Sequence, residues 1–137
     1  IHFEVVPGVT AALGSAAFAG IPLTYRNSAQ SVRFITAQLS NENSDIDWAE
    51  LAREKQTLVV YMGLAELPTL TRKLVEHGMD EAMPIAVISR ASYPDQTIVI
   101  GTLSDIDERV KSEAVTGPTT IIVGNVVAMG SVASKDN

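Results

Sequence analysis

The chain has 137 residues, of which 46% are hydrophobic and 19% charged, and it contains no cysteine. That length fits one compact domain, or one domain with part of another, and the apolar fraction excludes a disordered chain. The lack of cysteine excludes disulfides, a thiol nucleophile and a cysteine-ligated metal, and it is typical of the reducing cytoplasm. The net charge of -6 argues against nucleic-acid binding, which needs clustered Lys and Arg.

An uncharged run near the start, residues 5–25, is long enough to span a bilayer. Prolines and glycines interrupt it and its bulk is alanine, so the run predicts a buried helix rather than a membrane span. No basic segment precedes the run, which argues against a signal peptide. We therefore expect no membrane partner.

Within this run a strand end is followed by a helix. Residues 3–6 predict the end of a strand, which Pro7 and Gly8 stop. Residues 9–19 then predict a helix of small side chains, and Gly20 is placed as its C-terminal stop.

The next elements alternate strand and helix. Residues 31–37 predict a strand, and residues 47–55 predict a short amphipathic helix that Asp47 caps. Residues 57–62 form a near-continuous apolar run, which is the pattern of a strand covered on both faces. Residues 39–45 are polar and rich in Asn and Ser, and they are the nearest feature to a linker.

The second half of the chain continues this alternation. Residues 66–77 predict an amphipathic helix. Its apolar stripe comprises Leu67, Leu70, Leu74 and Val75. Residues 84–89 and 96–102 predict two strands joined by a turn, which implies an antiparallel hairpin. Residues 104–113 predict a helix that Ser104 caps.

A last strand completes the predicted fold. Residues 119–124 close the core, and residues 126–129 are a candidate extension of that strand. Residues 131–137 are small and polar and predict a flexible tail. The order of elements predicts an α/β fold with a mixed parallel and antiparallel sheet flanked by helices.

The chain offers little for acid–base or metal catalysis. His2 and His77 are its only histidines, and their positions favour a surface or helix-capping role. No spacing typical of a metal site, a serine nucleophile elbow or a P-loop is present. We therefore assign no catalytic residue and no metal ligand.

Ligand chemistry is indicated instead where a strand gives way to a turn or helix. Residues 6–12 join a strand to a helix through Pro and Gly, so a ligand can approach main-chain N–H groups at the helix start. The same small residues equally permit tight helix packing. Met62 follows a buried strand and either contacts a flat ligand or fills the core. Residues 89–92 are either a third ligand contact or an ordinary turn.

Two arginines are the remaining candidates for binding. Arg26 ends the segment 21–26, and Arg33 interrupts an otherwise apolar strand. Each can bind a carboxylate of a ligand, but the alternative of an intramolecular salt bridge is favoured for both.

Five segments, taken in order, resemble the uroporphyrinogen-III C-methyltransferase family, the methylating part of siroheme synthase within the tetrapyrrole methylase superfamily. The segments are VVPGVTAALGSAAFAGIPLTYR, AQSVRFITA, QTLVVYMGL, GMDEAMPIAVISRASYPDQ and TTIIVGNVV. They cover roughly residues 3–128, and the combination of PLTYR with AQSVRFITA is distinctive for this member of the superfamily.

The resemblance implies a two-domain protein that binds S-adenosylmethionine in the cleft between its domains. Thr10 and Ala11 match positions that hold the cofactor, and Met62 matches a methionine that touches cofactor and substrate. Ala91 falls where many relatives carry glycine, so its contact would be made by the main chain. A positive φ at Ala91 would be costly.

The implied reaction is methyl transfer to two ring carbons of uroporphyrinogen III, a polycarboxylate, to give precorrin-2. Arg26 and Arg33 are the candidates to meet the substrate carboxylates. The resemblance also implies a homodimer and a role in siroheme and cobalamin biosynthesis. It implies that residues 1–8 are the remnant of an N-terminal domain and residues 9–130 a C-terminal domain. The chain alone is then expected to be inactive, because the missing domain carries the Gly-rich turn.

Two other hypotheses stay open. The chain can belong to another member of the superfamily, either a later precorrin methylase or a methylase of RNA or protein. The acidic balance of the chain weighs against RNA. Alternatively, the chain is a non-catalytic module that dimerises through the small-residue helix at residues 9–19.

Overall fold

A computed structural model describes residues 1–37 and 46–130. The strands are Ser31–Thr36 (β1), Gln56–Tyr61 (β2), Pro84–Ser89 (β3), Thr97–Thr102 (β4) and Thr119–Val123 (β5). The helices are Ala11–Ala19 (α1), Trp48–Leu51 (α2), Leu67–Glu76 (α3), Ile106–Ser112 (α4) and Val127–Gly130 (α5). The predicted linker at 39–45 and the predicted tail at 131–137 lie outside the described residues.

The five strands form one mixed sheet in the order β1-β2-β5-β3-β4. β1 and β2 run parallel, whereas β5 is antiparallel to both β2 and β3. β3 and β4 form the predicted antiparallel hairpin. The predicted α/β fold with a mixed sheet is therefore confirmed.

The two faces of the sheet bury different residues because side chains alternate along each strand. One face, here called the aliphatic face, packs Leu, Ile and Val side chains against α3 and α4. The other, here called the α1 face, packs the alanines of α1 against a smaller set of strand residues. In β2, for example, Leu58 and Val60 lie on the aliphatic face and Val59 on the α1 face.

The prediction of a strand at residues 3–6 is wrong. These residues have no regular secondary structure, and Phe3, Val5 and Val6 are 76–86% exposed. A strand needs a hydrogen-bonded neighbour, and no described strand pairs with this segment.

Several boundaries also differ from the prediction. The helix predicted from Ser104 begins at Ile106, because the Asp105 carboxylate accepts the main-chain N–H of Thr102 at 2.7 Å and closes a turn there. The helix predicted over 47–55 ends at Leu51, although Asp47 does cap it as expected.

Two further details were predicted incorrectly. Residues 126–129 do not extend the last strand, because Gly124 adopts a φ of 147° and turns the chain into α5. Val75 does not complete the apolar stripe of α3 and is 37% exposed; Thr71 is buried on that helix instead.

The uncharged run at 5–25 contains the predicted helix, but only one side of it is buried. α1 has nine residues and buries Ala12, Ser15, Ala16 and Ala19. Gly20 ends it with a φ of 67°, as predicted. No helix in the described parts of the chain is long and apolar enough to cross a bilayer.

Candidate functional site

A cavity of about 430 Å³ lies between α1 and one edge of the sheet. Register places the last residues of β2 and β3 beside the first residues of β5, with Tyr61 opposite Thr120 and Ser89 opposite Thr119. The cavity is lined by Val9, Thr10, Ala11, Gly14, Ser15, Phe18, Tyr61, Met62, Ile88, Arg90, Ala91, Ser92, Tyr93, Pro118, Thr119 and Thr120. The predicted cofactor contacts Thr10, Ala11, Met62 and Ala91 therefore line one cavity, although they come from three separate segments.

The start of α1 is fixed by a side chain from β2. Thr10 is in the N-cap position with extended backbone, but its own side chain makes no capping hydrogen bond. The Tyr61 hydroxyl instead accepts the main-chain N–H of Ala12 at 3.3 Å and hydrogen-bonds with Thr10 Oγ1. The turn at residues 6–12 is thus held against the end of a buried strand, which sets the position of Thr10 and Ala11.

The cavity runs along one side of α1. Ser15 Oγ donates to Thr120 Oγ1 at 3.0 Å, and both residues are buried, so this bond holds the helix to β5. Gly14 lies one turn from the helix start, and a Cβ added there would meet no atom within 4 Å. The helix therefore packs closely at Ser15 and leaves open space at Gly14.

Met62 is directed away from the core by the turn that ends β2. Its φ is 53° and the residue is 71% exposed, so the alternative that it fills the core is wrong. Gly63 follows, where an added Cβ would lie 2.7 Å from Ile121 Cδ1. Only glycine fits that close approach, and the resulting turn leaves Met62 at the cavity.

The third wall is the turn after β3. Arg90 and Ser92 have φ values of 50° and 72°, whereas Ala91 between them does not have a positive φ. The costly backbone state considered for Ala91 is therefore carried by its two neighbours. Arg90 Nε donates to Asp95 Oδ2 at 2.7 Å, and its guanidinium lies 4.8 Å from the ring centroid of Tyr93.

This ion pair lowers the pKa of the Asp95 carboxyl, chiefly through the hydrogen bond from Arg90, and raises the pKa of Arg90. Both groups therefore stay charged across the physiological pH range. The side-chain amide of Gln96 links this turn to α1, since it donates to the carbonyl of Phe18 at 3.4 Å and accepts the N–H of Ser92 at 3.0 Å.

The two arginines predicted to meet substrate lie elsewhere. Arg33 Nη2 pairs with Glu50 Oε1 at 2.8 Å. Arg26 lines a separate open depression formed by the segment that connects α1 to β1, together with Tyr25 and Gln30. The structure therefore does not bring Arg26 or Arg33 to the cavity that holds the four predicted cofactor contacts.

Sequence reasoning covered Tyr61 and Arg90 only as members of the segments 57–62 and 89–92, without a role of their own, and it did not single out Gln96. The alternation of side chains along residues 57–62 would have placed Tyr61 on the α1 face, beside the helix start. Alternation of side chains does not place Arg90 or Gln96 in the same way, since their positions depend on how the turn after β3 folds.

The cavity has the character of a small-molecule site. Its lining is mainly apolar, with a few hydroxyls and one cation, and its volume falls in the usual range for such sites. Within residues 1–37 and 46–130, no group of three or more His, Cys, Asp or Glu side chains is arranged to hold a metal. His77 lies at the end of α3, where its Nδ1 hydrogen-bonds the Lys73 carbonyl at 2.8 Å.

The profile of a protein family described as tetrapyrrole (corrin/porphyrin) methylases matches residues 1–107. Among curated relatives, the siroheme synthase of Azotobacter vinelandii is 50% identical over 129 residues and that of Hahella chejuensis is 48% identical. Each alignment covers 94% of this chain and 28% of the relative. The chain thus spans little more than a quarter of the length of these relatives.

Solved structures of methyltransferases are also similar to this chain. The uroporphyrin-III C-methyltransferase of Thermus thermophilus is 32% identical with a TM-score of 0.74, over 92% of this chain and 52% of that one. The same enzyme complexed with S-adenosyl homocysteine gives a TM-score of 0.72. A cobalamin biosynthetic enzyme, cobalt precorrin-4 methyltransferase, is 26% identical with a TM-score of 0.82, over 90% of this chain and 52% of that one.

Proposed function

The chain belongs to the tetrapyrrole (corrin/porphyrin) methylase family, and we propose that it forms the cofactor-holding part of an S-adenosylmethionine-dependent C-methyltransferase. One observation carries this proposal: Thr10, Ala11, Met62 and Ala91, from three segments, line a single cavity at the sheet edge. A structural relative complexed with S-adenosyl homocysteine supports the identity of the ligand.

The substrate that fits best is uroporphyrinogen III, methylated to precorrin-2 in siroheme and cobalamin biosynthesis. Two kinds of relative support this choice, the siroheme synthases at 48–50% identity and the uroporphyrin-III C-methyltransferase at 32%. The solved structure is named for C-methyl transfer to uroporphyrin III, and the curated relatives are named for siroheme synthesis.

The residues of the chain contribute by position. When bound, S-adenosylmethionine supplies an electrophilic methyl group on its sulfonium. Tyr61 holds the start of α1, so that main-chain groups at Thr10 and Ala11 are preset for the ligand. The thioether of Met62 supplies an adaptable apolar contact, and the apolar walls exclude water. No acid–base residue is required for these roles.

The complete cleft requires the whole protein. Residues 9–130 act as the C-terminal methylase domain, and residues 1–8 connect to an N-terminal domain that completes the cleft. The exposed apolar side chains of Phe3, Val5 and Val6 suit such a connection, since burial by another domain would remove them from water. We further propose a cytoplasmic homodimer.

The cofactor role of the cavity is tested by Met62→Ala in the full-length protein. We expect kcat/KM to fall roughly tenfold, because an apolar ligand contact is lost without a core contact. Val75→Ala, which shortens an exposed side chain far from the cavity, is the matched control and should leave activity unchanged. Equal activity in the wild-type protein and both variants, measured by methyl incorporation from labelled cofactor, would contradict the proposal.

The need for the N-terminal domain is tested with the 137-residue chain by itself. We expect no methylation of uroporphyrinogen III and no more than weak binding of S-adenosylmethionine, because one side of the cleft is absent. Calorimetry that shows micromolar binding by this chain would overturn that expectation.

A later precorrin methylase is the second candidate. It is favoured by the TM-score of 0.82 to cobalt precorrin-4 methyltransferase, which exceeds the value for the uroporphyrin-III enzyme. Sequence identity favours the first candidate, at 32% against 26%. Mass analysis of the product separates them, since only the first candidate adds two methyl groups to uroporphyrinogen III itself.

A further inference from the structure

The cavity beside α1 that holds the four predicted cofactor contacts is here called the α1 cavity. Among the described residues that line it, Arg90 is the only one with a charged side chain. Arg90 directly follows β3 and has a φ of 50°, a backbone conformation that residues other than glycine rarely adopt. The main-chain N–H of Arg90 is bonded to the Pro118 carbonyl at 3.1 Å. The fold thus accepts local backbone strain and places a permanent cation at a cavity that is otherwise uncharged.

The guanidinium is also held in one orientation. Asp95 accepts its Nε–H at 2.7 Å, and the ring of Tyr93 lies 4.8 Å from it. Gly117 lies beside this side chain, since a Cβ there would be in ordinary contact with Arg90 Cγ at 3.4 Å. An arginine anchored in this way loses little additional freedom when it binds a ligand.

The anchoring leaves most of the guanidinium available. The hydrogen bond to Asp95 uses Nε, and within the described residues no acceptor is bonded to Nη1 or Nη2. These two nitrogens carry four of the five side-chain N–H groups of an arginine. Their usual partner in proteins is a carboxylate or phosphate, which they bind through parallel hydrogen bonds.

We propose that Arg90 binds a carboxylate of the ligand that occupies the α1 cavity. The inference rests on the proposed function, which brings two kinds of carboxylate to this site. One is the amino-acid carboxylate of S-adenosylmethionine, and the others are the side-chain carboxylates of the tetrapyrrole. Arg90 replaces Arg26 and Arg33 as the group in this chain that recognises ligand charge, because neither of those lines the cavity.

The test measures ligand binding and turnover in the full-length protein, with the variants Arg90→Gln and Asp95→Asn. S-adenosyl homocysteine and methylthioadenosine serve as probes, since the second lacks the amino-acid group. Arg109→Gln is the control, because Arg109 makes the same Nε-to-carboxylate pair at 2.7 Å with Asp105 but does not line the cavity.

Two results support the proposal and identify the carboxylate. If it belongs to the cofactor, Arg90→Gln weakens binding of S-adenosyl homocysteine about tenfold and leaves methylthioadenosine unchanged. If it belongs to the tetrapyrrole, both probes bind as before and the KM for uroporphyrinogen III rises about tenfold with little change in kcat. In either case Asp95→Asn retains ligand binding, because the asparagine oxygen can still accept the Nε–H of Arg90 while the competing negative charge is removed.

Three results overturn it. Equal weakening of every ligand by Arg90→Gln and Asp95→Asn would mean that the ion pair only shapes the turn. An unchanged Arg90→Gln protein would remove the residue from ligand binding while the proposed function stands. A wild-type protein that binds neither probe would remove the inference together with the proposed function.

Discussion

The two faces of the sheet are built differently although they share the same strands. The aliphatic face buries large side chains of α3 and α4 against Leu58, Ile85 and Ile121, all fully buried. The α1 face packs a helix whose buried residues are three alanines and a serine. Small side chains bring the helix close to the sheet at Ser15 but leave the cavity beside Gly14.

The difference separates stability from ligand binding. Large apolar side chains remove the most surface from water, so the aliphatic face should supply most of the folding free energy. Small residues contribute less burial and instead expose main chain and hydroxyls to a ligand. Substitutions on the two faces should therefore differ in which measurement they change.

The largest effect is expected for Leu74→Ala on the aliphatic face. Leu74 is fully buried in α3, and truncation removes its contacts and leaves a void. The free energy of unfolding should fall by about 2–5 kcal/mol, as measured by urea denaturation. A loss below 1 kcal/mol, or less than that of Val75→Ala on the exposed side of the same helix, would contradict the comparison.

A smaller loss is expected for Ser15→Ala on the α1 face. The change removes the buried hydrogen bond to Thr120 at 3.0 Å and leaves the threonine hydroxyl without that partner. Stability should fall by about 1 kcal/mol. In the double variant with Thr120→Val the loss should shrink, because both polar groups are then absent; additive losses would show that the bond itself contributes nothing.

Gly14→Ala should change stability in the opposite direction. Gly14 lies inside α1 with open space around its added Cβ, so alanine lowers the entropy of the unfolded chain without a clash. Stability should rise by about 0.5–1 kcal/mol. A thermal melt that shows destabilisation would mean that the helix packs more tightly at Gly14 than the structure indicates.

The smallest effect is expected for Asp107, a carboxyl on α4. Burial raises the pKa of Asp107, whose Oδ1 is buried without a hydrogen-bond partner in the described structure. The folded state therefore favours the protonated form, and the favourable contribution is lost as the pH rises through the raised pKa. Asp107→Asn should slightly increase stability at neutral pH, and this gain should vanish near and below the ordinary value of 3.8.

Asp105, two residues earlier, provides the control of opposite sign. The N–H of Thr102 and the guanidinium of Arg109 lower its pKa, so its contribution is present at neutral pH and lost as the pH falls through that lowered value. Asp105→Asn should therefore reduce stability at neutral pH. Urea denaturation of both variants across the acidic range checks the two signs, and parallel profiles would contradict them.

Most of the fold was predictable from local patterns. The near-continuous apolar runs at 57–62 and 84–89 are central strands buried on both faces, and the turn before residue 96 joins an antiparallel pair. Periodicity identifies such elements because burial on both faces leaves few alternatives. The prediction failed where a partner is lacking. Residues 3–6 have a strand-like sequence but no neighbouring strand in the described chain, so they have no regular secondary structure and are exposed.

The site was predictable only in part. The resemblance to a family singled out Thr10, Ala11, Met62 and Ala91, and the fold places them together. The structure shows the intramolecular salt bridge that was the alternative for Arg33, but the sequence did not identify its partner, because Glu50 is 17 residues away on α2. Arg90 was singled out only as part of the segment 89–92, since its exact position depends on the left-handed backbone of a turn that no periodicity describes.

The central claim is that the space beside Gly14 holds the cofactor. The most direct test is calorimetry of S-adenosyl homocysteine with the full-length protein carrying Gly14, Gly14→Ala or Gly14→Leu. The leucine side chain enters the cavity and should weaken binding at least about tenfold, which is about 1.4 kcal/mol. Alanine should bind nearly as the wild type does, and neither variant should lower the melting temperature. Unchanged affinity in a folded Gly14→Leu protein would place the cofactor elsewhere and contradict the account.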